Sequence, residues 1–158
     1  MKSLLALSFA ALVTALPASA QTTLNVVTAG DQNMVDYVNT FLAPRFEKLN
    51  PGVAVKAVGT GPGDAGSQKI YEKLSAQSKA GVASWDVDVA VIHQRGAATM
   101  VKENLLAPYR KEIATDKLVS RDTAKNAPGQ NVDGFVIPMF HSQIAFAYNP
   151  DLVKARPK

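Results

Sequence analysis

The stretch VAVKAVGTGPGDAGSQKI, residues 53–70, joins two kinds of predicted secondary structure through a glycine-rich segment. Valine and alanine dominate residues 53–58, which predicts a strand. Apolar residues then recur at helical spacing, which predicts a helix over residues 67–80. The glycines between them predict a loop over residues 59–66. A strand that runs through a loop into a helix is the repeating unit of α/β proteins, so this stretch decides the expected fold class.

The same alternation occurs on both sides of this stretch. Residues 24–28 predict a strand, and the helical pattern after them ends at Leu49, with a kink or break expected at Pro44 because proline lacks the amide donor. Residues 86–92 predict a third strand and residues 95–103 a short helix. Short strands alternating with helices predict an α/β fold with a mostly parallel sheet flanked by helices.

The sequence beyond residue 103 is less regular. It predicts a helix near Tyr109–Val119, a turn at Ala127–Gly129 and two closing strands within residues 134–148.

The first twenty residues have the features of a secretory signal peptide. A positive charge at the second position precedes an apolar run over residues 4–16, and Ala18 and Ala20 form a small-x-small cleavage pattern. The run is too short to span a bilayer comfortably. We expect a mature chain that begins at Gln21, with a buried N-terminal helix as the alternative interpretation.

The composition excludes several classes of function. With 47% hydrophobic and 19% charged residues the chain is globular, and no later segment is long and apolar enough for membrane insertion. The absence of cysteine excludes thiolate metal sites and a cysteine nucleophile. The net charge of +4 is dispersed along the chain, which does not favour a nucleic-acid partner.

The predicted topology points to one binding edge. Right-handed crossovers bring the three strand-to-helix connections, Gly30–Asn33, Gly59–Gly66 and His93–Arg95, to the carboxyl edge of the sheet. Ligands of open α/β sheets bind at that edge. In the first connection Asp31, Gln32 and Asn33 are candidates both for ligand contacts and for the helix cap, and we expect each role to be filled.

The glycine-rich connection matches two nucleotide motifs incompletely. Residues 61–66 spell G-x-G-x-x-G, but Pro62 lies inside the turn, and Asp86 and Asp88 begin the third strand where the dinucleotide motif needs an acidic residue at its end. A Walker A motif would need a lysine that is missing. The glycines favour a loop whose backbone N–H groups face a polar or anionic ligand. The alternative is a connecting loop that makes no ligand contact.

No catalytic or cofactor site is expected. The chain contains neither a G-x-S-x-G elbow nor an H-E-x-x-H motif, and its two histidines, His93 and His141, do not suffice for a zinc site.

Several motifs in order resemble a known family. TLNVVTAG at residues 23–30, FEKLNPGVAV at 46–55, SWDVDVAVIH at 84–93 and GFVIPMFHSQIAFAYNPDLV at 134–153 resemble the first part of a family 1 extracellular solute-binding protein of an ABC importer. The resemblance covers essentially the whole mature chain.

The resemblance implies a periplasmic-binding-protein-like lobe. In such proteins two α/β lobes close over a solute, which is passed to an ABC permease. It implies a signal peptide at 1–20, an incomplete first lobe at 21–142 and a crossing strand at 143–158 toward a second lobe that is missing here. It also implies a periplasmic protein that is monomeric when full length, with ligand contacts at Gly30, Asp31, Gln32, Gly61, Gly63, Asp64, Gly66, Ser67, His93, Gln94, Phe140, His141 and Ser142.

The expected function is capture of a small polar or anionic solute in the periplasm and its delivery to the permease subunits. Two alternatives are a secreted α/β enzyme on the same plan and a non-functional truncated fragment. An enzyme would need an acid–base pair or nucleophile at the binding edge, where Asp31, Asp64 and His93 are available.

The signal-peptide interpretation predicts a specific processing product. On expression in a Gram-negative host, the protein recovered from the periplasm should begin at Gln21, because signal peptidase cleaves after the small residue Ala20. Intact-mass measurement and N-terminal sequencing test this. Recovery of a cytoplasmic chain that still carries residues 1–20 would contradict it.

Overall fold

A three-stranded parallel sheet carries the fold. The computed structural model describes residues 21–109, 112–113, 122–140, 147–149 and 151–153. Strands β1 (Thr22–Ala29), β2 (Val53–Gly61) and β3 (Val89–Val91) stand in the order β2-β1-β3, with β1 parallel to both neighbours. This confirms the predicted α/β class.

A helical segment follows each strand of the three-stranded sheet. After β1 come α1 (Gln32–Tyr37), a π-helical segment (Val38–Leu42) and α2 (Ala43–Leu49), after β2 comes α3 (Gly63–Lys79), and after β3 comes α4 (Gln94–Lys102). A 3₁₀ turn (Asp122–Lys125) leads into a short antiparallel hairpin, whose strands β4 (Asn126–Ala127) and β5 (Gln130–Asn131) have two residues each. The hairpin turn confirms the turn predicted at residues 127–129.

Strand β1 is buried on both faces. Val27 and Ala29 point toward α3 and α4, where Ile70, Leu74, Met100 and Leu105 complete one core cluster. Val26 points to the opposite face and packs with Val38 and Ala57. Successive side chains of a strand alternate between faces, so helices are required on both sides of the sheet.

Pro44 produces the predicted interruption as a π-helical segment. The Ala43 N–H bonds to the Val38 carbonyl, five residues back, and Pro44 then stands at the start of α2, where a missing amide is tolerated. The Arg45 guanidinium donates to the Phe41 carbonyl at 2.9 Å, so a side chain satisfies a backbone acceptor at the interruption.

Strand β3 is shorter than predicted, and at its start the side chain of Asp88 replaces one backbone acceptor of the ladder. The Asp88 carboxylate accepts the Asn25 N–H at 2.7 Å, which leaves β3 to begin at Val89. Asp86 lies before the strand and pairs with Lys73 of α3 at 2.7 Å. The hydrogen bond from Lys73 lowers the pKa of Asp86, and this pair ties the approach to β3 onto α3.

The loop predicted at residues 59–66 is wrong. Strand β2 continues to Gly61 and α3 begins at Gly63, so Pro62 alone connects them. Such an abrupt change of direction needs positive φ angles, which are +104° at Gly61 and +66° at Gly63. The sequence pattern missed this because glycine serves a strand end and a helix start as well as it serves a loop.

The described part of the C-terminal region contains no closing strand. Over residues 134–140 the backbone begins with a turn, in which the Phe135 and Val136 amides both donate to the Val132 carbonyl at 3.1 Å. The remainder of the predicted strands at 141–146, and most of the helix predicted near Tyr109–Val119, lie outside the described residues.

Helix α3 packs closely against the strand backbone at Gly66. A methyl group at Gly66 would lie 1.9 Å from the Gly61 carbonyl oxygen and 3.2 Å from the Ala29 Cα, both backbone atoms that cannot move aside. We expect Gly66→Ala to lower the free energy of unfolding by about 2–3 kcal/mol.

Urea denaturation of the full-length protein measures this change. Ala65→Ser is the matched control, because residue 65 is exposed one position earlier in the same helix and should change stability by about 0.5 kcal/mol or less. Equal stability of the Gly66→Ala and Ala65→Ser proteins would contradict the close packing.

Candidate functional site

The strand-to-helix connections meet at the carboxyl edge of the sheet, as predicted. We call this edge, formed by residues 30–32, 61–64 and 92–95, the rim. Its first two segments are joined directly, since the Gly30 N–H donates to the Gly61 carbonyl at 2.9 Å. The third segment follows β3, which pairs with the other side of β1. The rim therefore brings three separate parts of the sequence together.

A β-bulge at Thr60 shapes the middle of the rim. Strand register shifts between Thr28 and Ala29, whose partners are Gly59 and Gly61, so Thr60 is the extra residue. Its hydroxyl lies 3.1 Å from the Thr28 carbonyl and 2.9 Å from the Gly66 carbonyl, within hydrogen-bond distance of both. The Thr60 hydroxyl thus connects β1, β2 and α3 just below the rim.

Ser67 positions the third segment. It is buried in the first turns of α3, and its Oγ accepts the His93 N–H at 2.9 Å. His93 is the N-cap residue of α4, so this bond fixes the start of α4 against α3. Because the hydroxyl is enclosed and already accepts this amide, the geometry favours a positioning role for Ser67.

Asp64 lies between two basic side chains of the third segment. Its two carboxylate oxygens are each 3.7 Å from a nitrogen, one from His93 Nδ1 and the other from Arg95 Nη1. All three side chains are well exposed, at 60% for Asp64, 43% for His93 and 80% for Arg95. The cluster therefore presents both signs of charge to solvent, with long contacts that a ligand can displace at little cost.

A shallow groove runs from this cluster between α3 and α4. Its volume is about 160 Å³, and its lining residues are Asp64, Ser67, Gln68, Tyr71, Arg95, Gly96 and Thr99. Beside it the Tyr71 hydroxyl donates to the Glu103 carboxylate at 2.9 Å, and this hydrogen bond raises the pKa of Tyr71. The groove is lined by polar and apolar surface in about equal parts and is open to solvent.

The first connection is predicted to supply both ligand contacts and a helix cap. The structure supports these roles for Asp31 and Gln32 only in part. Asp31 occupies the N-cap position of α1, but its side chain makes no capping hydrogen bond and is exposed. Gln32 donates its side-chain amide to Asp36 at 2.9 Å. At the third connection, Gln94 donates its side-chain amide to the Asn126 carbonyl at 2.7 Å and so links the rim to the hairpin.

Eight of the predicted ligand contacts lie on the rim: Gly30, Asp31, Gln32, Gly61, Gly63, Asp64, His93 and Gln94. Gly66 and Ser67 are buried beneath it. Phe140 is 59% exposed in a segment without regular structure, and His141 and Ser142 lie outside the described residues.

The predicted ligand contacts did not include Thr60 or Arg95, although both belong to connections that were predicted to form the binding edge. The sequence does carry a signal for Thr60, a hydroxyl residue between two glycines at the end of a strand. Arg95 stood in a predicted connection, but its approach to Asp64 depends on how α3 and α4 pack. Within the described ranges, no group of three His, Asp or Glu side chains is placed to bind a metal ion.

The Ser67 contact predicts a measurable loss of order at the rim. Ser67→Ala leaves the His93 N–H without its acceptor, and we expect unfolding to become easier by about 1–2 kcal/mol, with faster hydrogen exchange at the His93 amide. Ser78→Ala is the control, an exposed serine at the far end of the same helix. Unchanged exchange at His93 would show that Ser67 does not position it.

Comparison with known proteins now identifies the family. The sequence model of the family described as "Bacterial extracellular solute-binding protein" matches residues 31–158. A comparison with curated proteins finds no match to this chain. Among the described residues, no helix combines the length and the apolar character that crossing a membrane requires.

The family match and the fold agree. The described α/β unit, with its parallel sheet and flanking helices, has the form of a single periplasmic-binding-protein-like lobe. The match supports a role in extracellular solute binding for transport, and the family is one of solute-binding proteins rather than enzymes. The resemblance seen in the sequence is thereby confirmed: this chain belongs to the bacterial extracellular solute-binding protein family.

Proposed function

We propose that this protein captures a small polar or anionic solute in the periplasm and delivers it to the permease of an ABC importer. One observation carries the proposal: in a chain of an extracellular solute-binding family, three separate segments converge on the carboxyl edge of a parallel sheet. That edge is where ligands bind in open α/β sheets. The permease as partner and the periplasm as location are parts of the proposal, drawn from the family and from the predicted signal peptide.

The rim offers the groups that a polar solute needs. The Asp31 carboxylate and the His93 imidazole are exposed, and Asp64 and Arg95 stand beside them. Exposed groups of this kind become strong hydrogen-bond partners when closure around a solute removes water from them. Binding in this scheme makes and breaks no covalent bond, and its affinity comes from hydrogen bonds and burial.

The geometry gives less support to the alternative of a secreted enzyme. The Asp64 carboxylate is 3.7 Å from the imidazole, which is longer than the hydrogen bond a general acid–base pair uses. Ser67 is buried, and its hydroxyl accepts a backbone amide from below the rim. A buried hydroxyl in this arrangement is not presented to a substrate as a nucleophile.

Isothermal titration with the full-length protein tests the proposal. The titrants are sugars, organic acids, polyamines and inorganic phosphate, taken one at a time after a thermal-shift screen. Saturable binding of a member of this panel, with the solute recovered unchanged, is the expected result. Conversion of the solute into a product would contradict a carrier, and so would the absence of binding across all four classes.

Substitutions at the rim make the test specific to the site. His93→Ala and Asp31→Ala should each weaken solute binding about tenfold, the loss expected for one hydrogen bond to a charged or titratable group. The melting temperature should stay unchanged, since both side chains are exposed. Lys102→Ala, in the last turn of α4 away from the rim, is the control. Equal affinities for all three variants would place the binding site elsewhere.

A further inference from the structure

Lys69 is a lysine next to the rim that the sequence motifs do not single out. It lies in the second turn of α3, and its ammonium group reaches back to the junction with β2. The Nζ atom is 3.9 Å from the point at which a side chain at Gly61 would begin. Gly61 itself is bonded to Gly30, so this cation stands where the first and second rim segments meet.

The charge of Lys69 is not neutralised within the described ranges. Some basic residues there have partners: Lys73 pairs with Asp86 at 2.7 Å, Lys125 with Asp122 at 3.0 Å, and Arg95 approaches Asp64 at 3.7 Å. Lys69 differs from the other lysines without an ion pair, such as Lys79, in its position beside Gly61. No carboxylate in those ranges is within ion-pair distance of Lys69. An exposed ammonium beside a ligand-binding edge, without an internal counter-ion, is a group that an anion can pair with.

The neighbouring acidic groups leave this position open. Asp64 directs its carboxylate toward His93 and Arg95, on the side of the third segment. Asp36 accepts the side-chain amide of Gln32. The absence of a side chain at Gly61 also keeps the space beside the ammonium free. The Asp31 carboxylate is exposed on the rim next to Gly30, but it forms no ion pair with Lys69. The ammonium of Lys69 therefore lies beside the rim and is unpaired among the described residues.

We propose that Lys69 determines specificity, and that it selects a solute with a carboxylate or phosphate group which binds at the junction of Gly30 and Gly61. This inference rests on the proposed function, because it names the chemical class of the captured solute. The solute anion would accept a charge-assisted hydrogen bond from the Lys69 ammonium, and a neutral analogue of equal size would lack that bond.

Matched pairs of solutes measured with the full-length protein test the inference. Thermal shift and titration would compare succinate with succinamide, gluconate with glucitol, and glycerol 3-phosphate with glycerol, with putrescine as a cation. The anionic member of at least one pair should bind, and Lys69→Gln should weaken its binding tenfold or more. Lys69→Arg, which keeps the charge, should stay within about threefold of the original affinity.

The control is Lys79→Gln. Lys79 is on the same helix ten residues later, which is about 15 Å along the helix axis, and its replacement changes the net charge equally. It should leave anion affinity unchanged. Because Lys69 and Lys79 are both exposed, both variants should keep the original melting temperature.

The possible outcomes separate this inference from the proposed function. Binding of neutral solutes or putrescine in preference to their anionic counterparts would overturn the role of Lys69 and leave solute capture intact. Anion binding that Lys69→Gln and Lys79→Gln weaken equally would also overturn it, since the effect would then be one of net charge. If no solute of any charge bound, both proposals would fall.

Discussion

The parallel pairing of β1 with both neighbours is the constraint on which the rest of the structure depends. Eight residues of β1 pair with β2, and three of them also pair with β3. Being central, β1 must bury both faces, which requires helices on both sides of the sheet. Being parallel, its neighbours end at the same edge, which creates the rim. A change of register in this strand would move every rim segment relative to the others.

The rim is held by contacts that lie beneath it. The Thr60 hydroxyl joins two strands to α3, and Ser67 joins α3 to the start of α4. These polar groups below the rim leave the exposed side chains of Asp31, His93 and Lys69 available to a solute. Rigid contacts below the rim with adaptable side chains above them favour selective binding of small molecules, because the rigid part loses little conformational entropy on binding.

Much of the fold, including the meeting of the three connections at one edge of the sheet, could be predicted from the sequence. Alternating strands and helices gave the sheet type, the interruption at Pro44 was expected, and the three connections meet as the topology requires. The boundaries around Gly61 could not be predicted, since glycine permits strand, turn and helix alike. The shortening of β3 by Asp88 and the approach of Lys69 to Gly61 depend on contacts between distant residues, which no local pattern encodes.

The single residue between β2 and α3 has a consequence for how such a protein can diversify. With only Pro62 as connector, an insertion at this place would have to lengthen the strand or unwind the first turn of the helix. Either change would disturb the close packing of Gly66 against the strand backbone. New solute preferences at this corner can therefore arise by exchanging side chains, whereas growth of a longer recognition loop is restricted to other parts of the molecule.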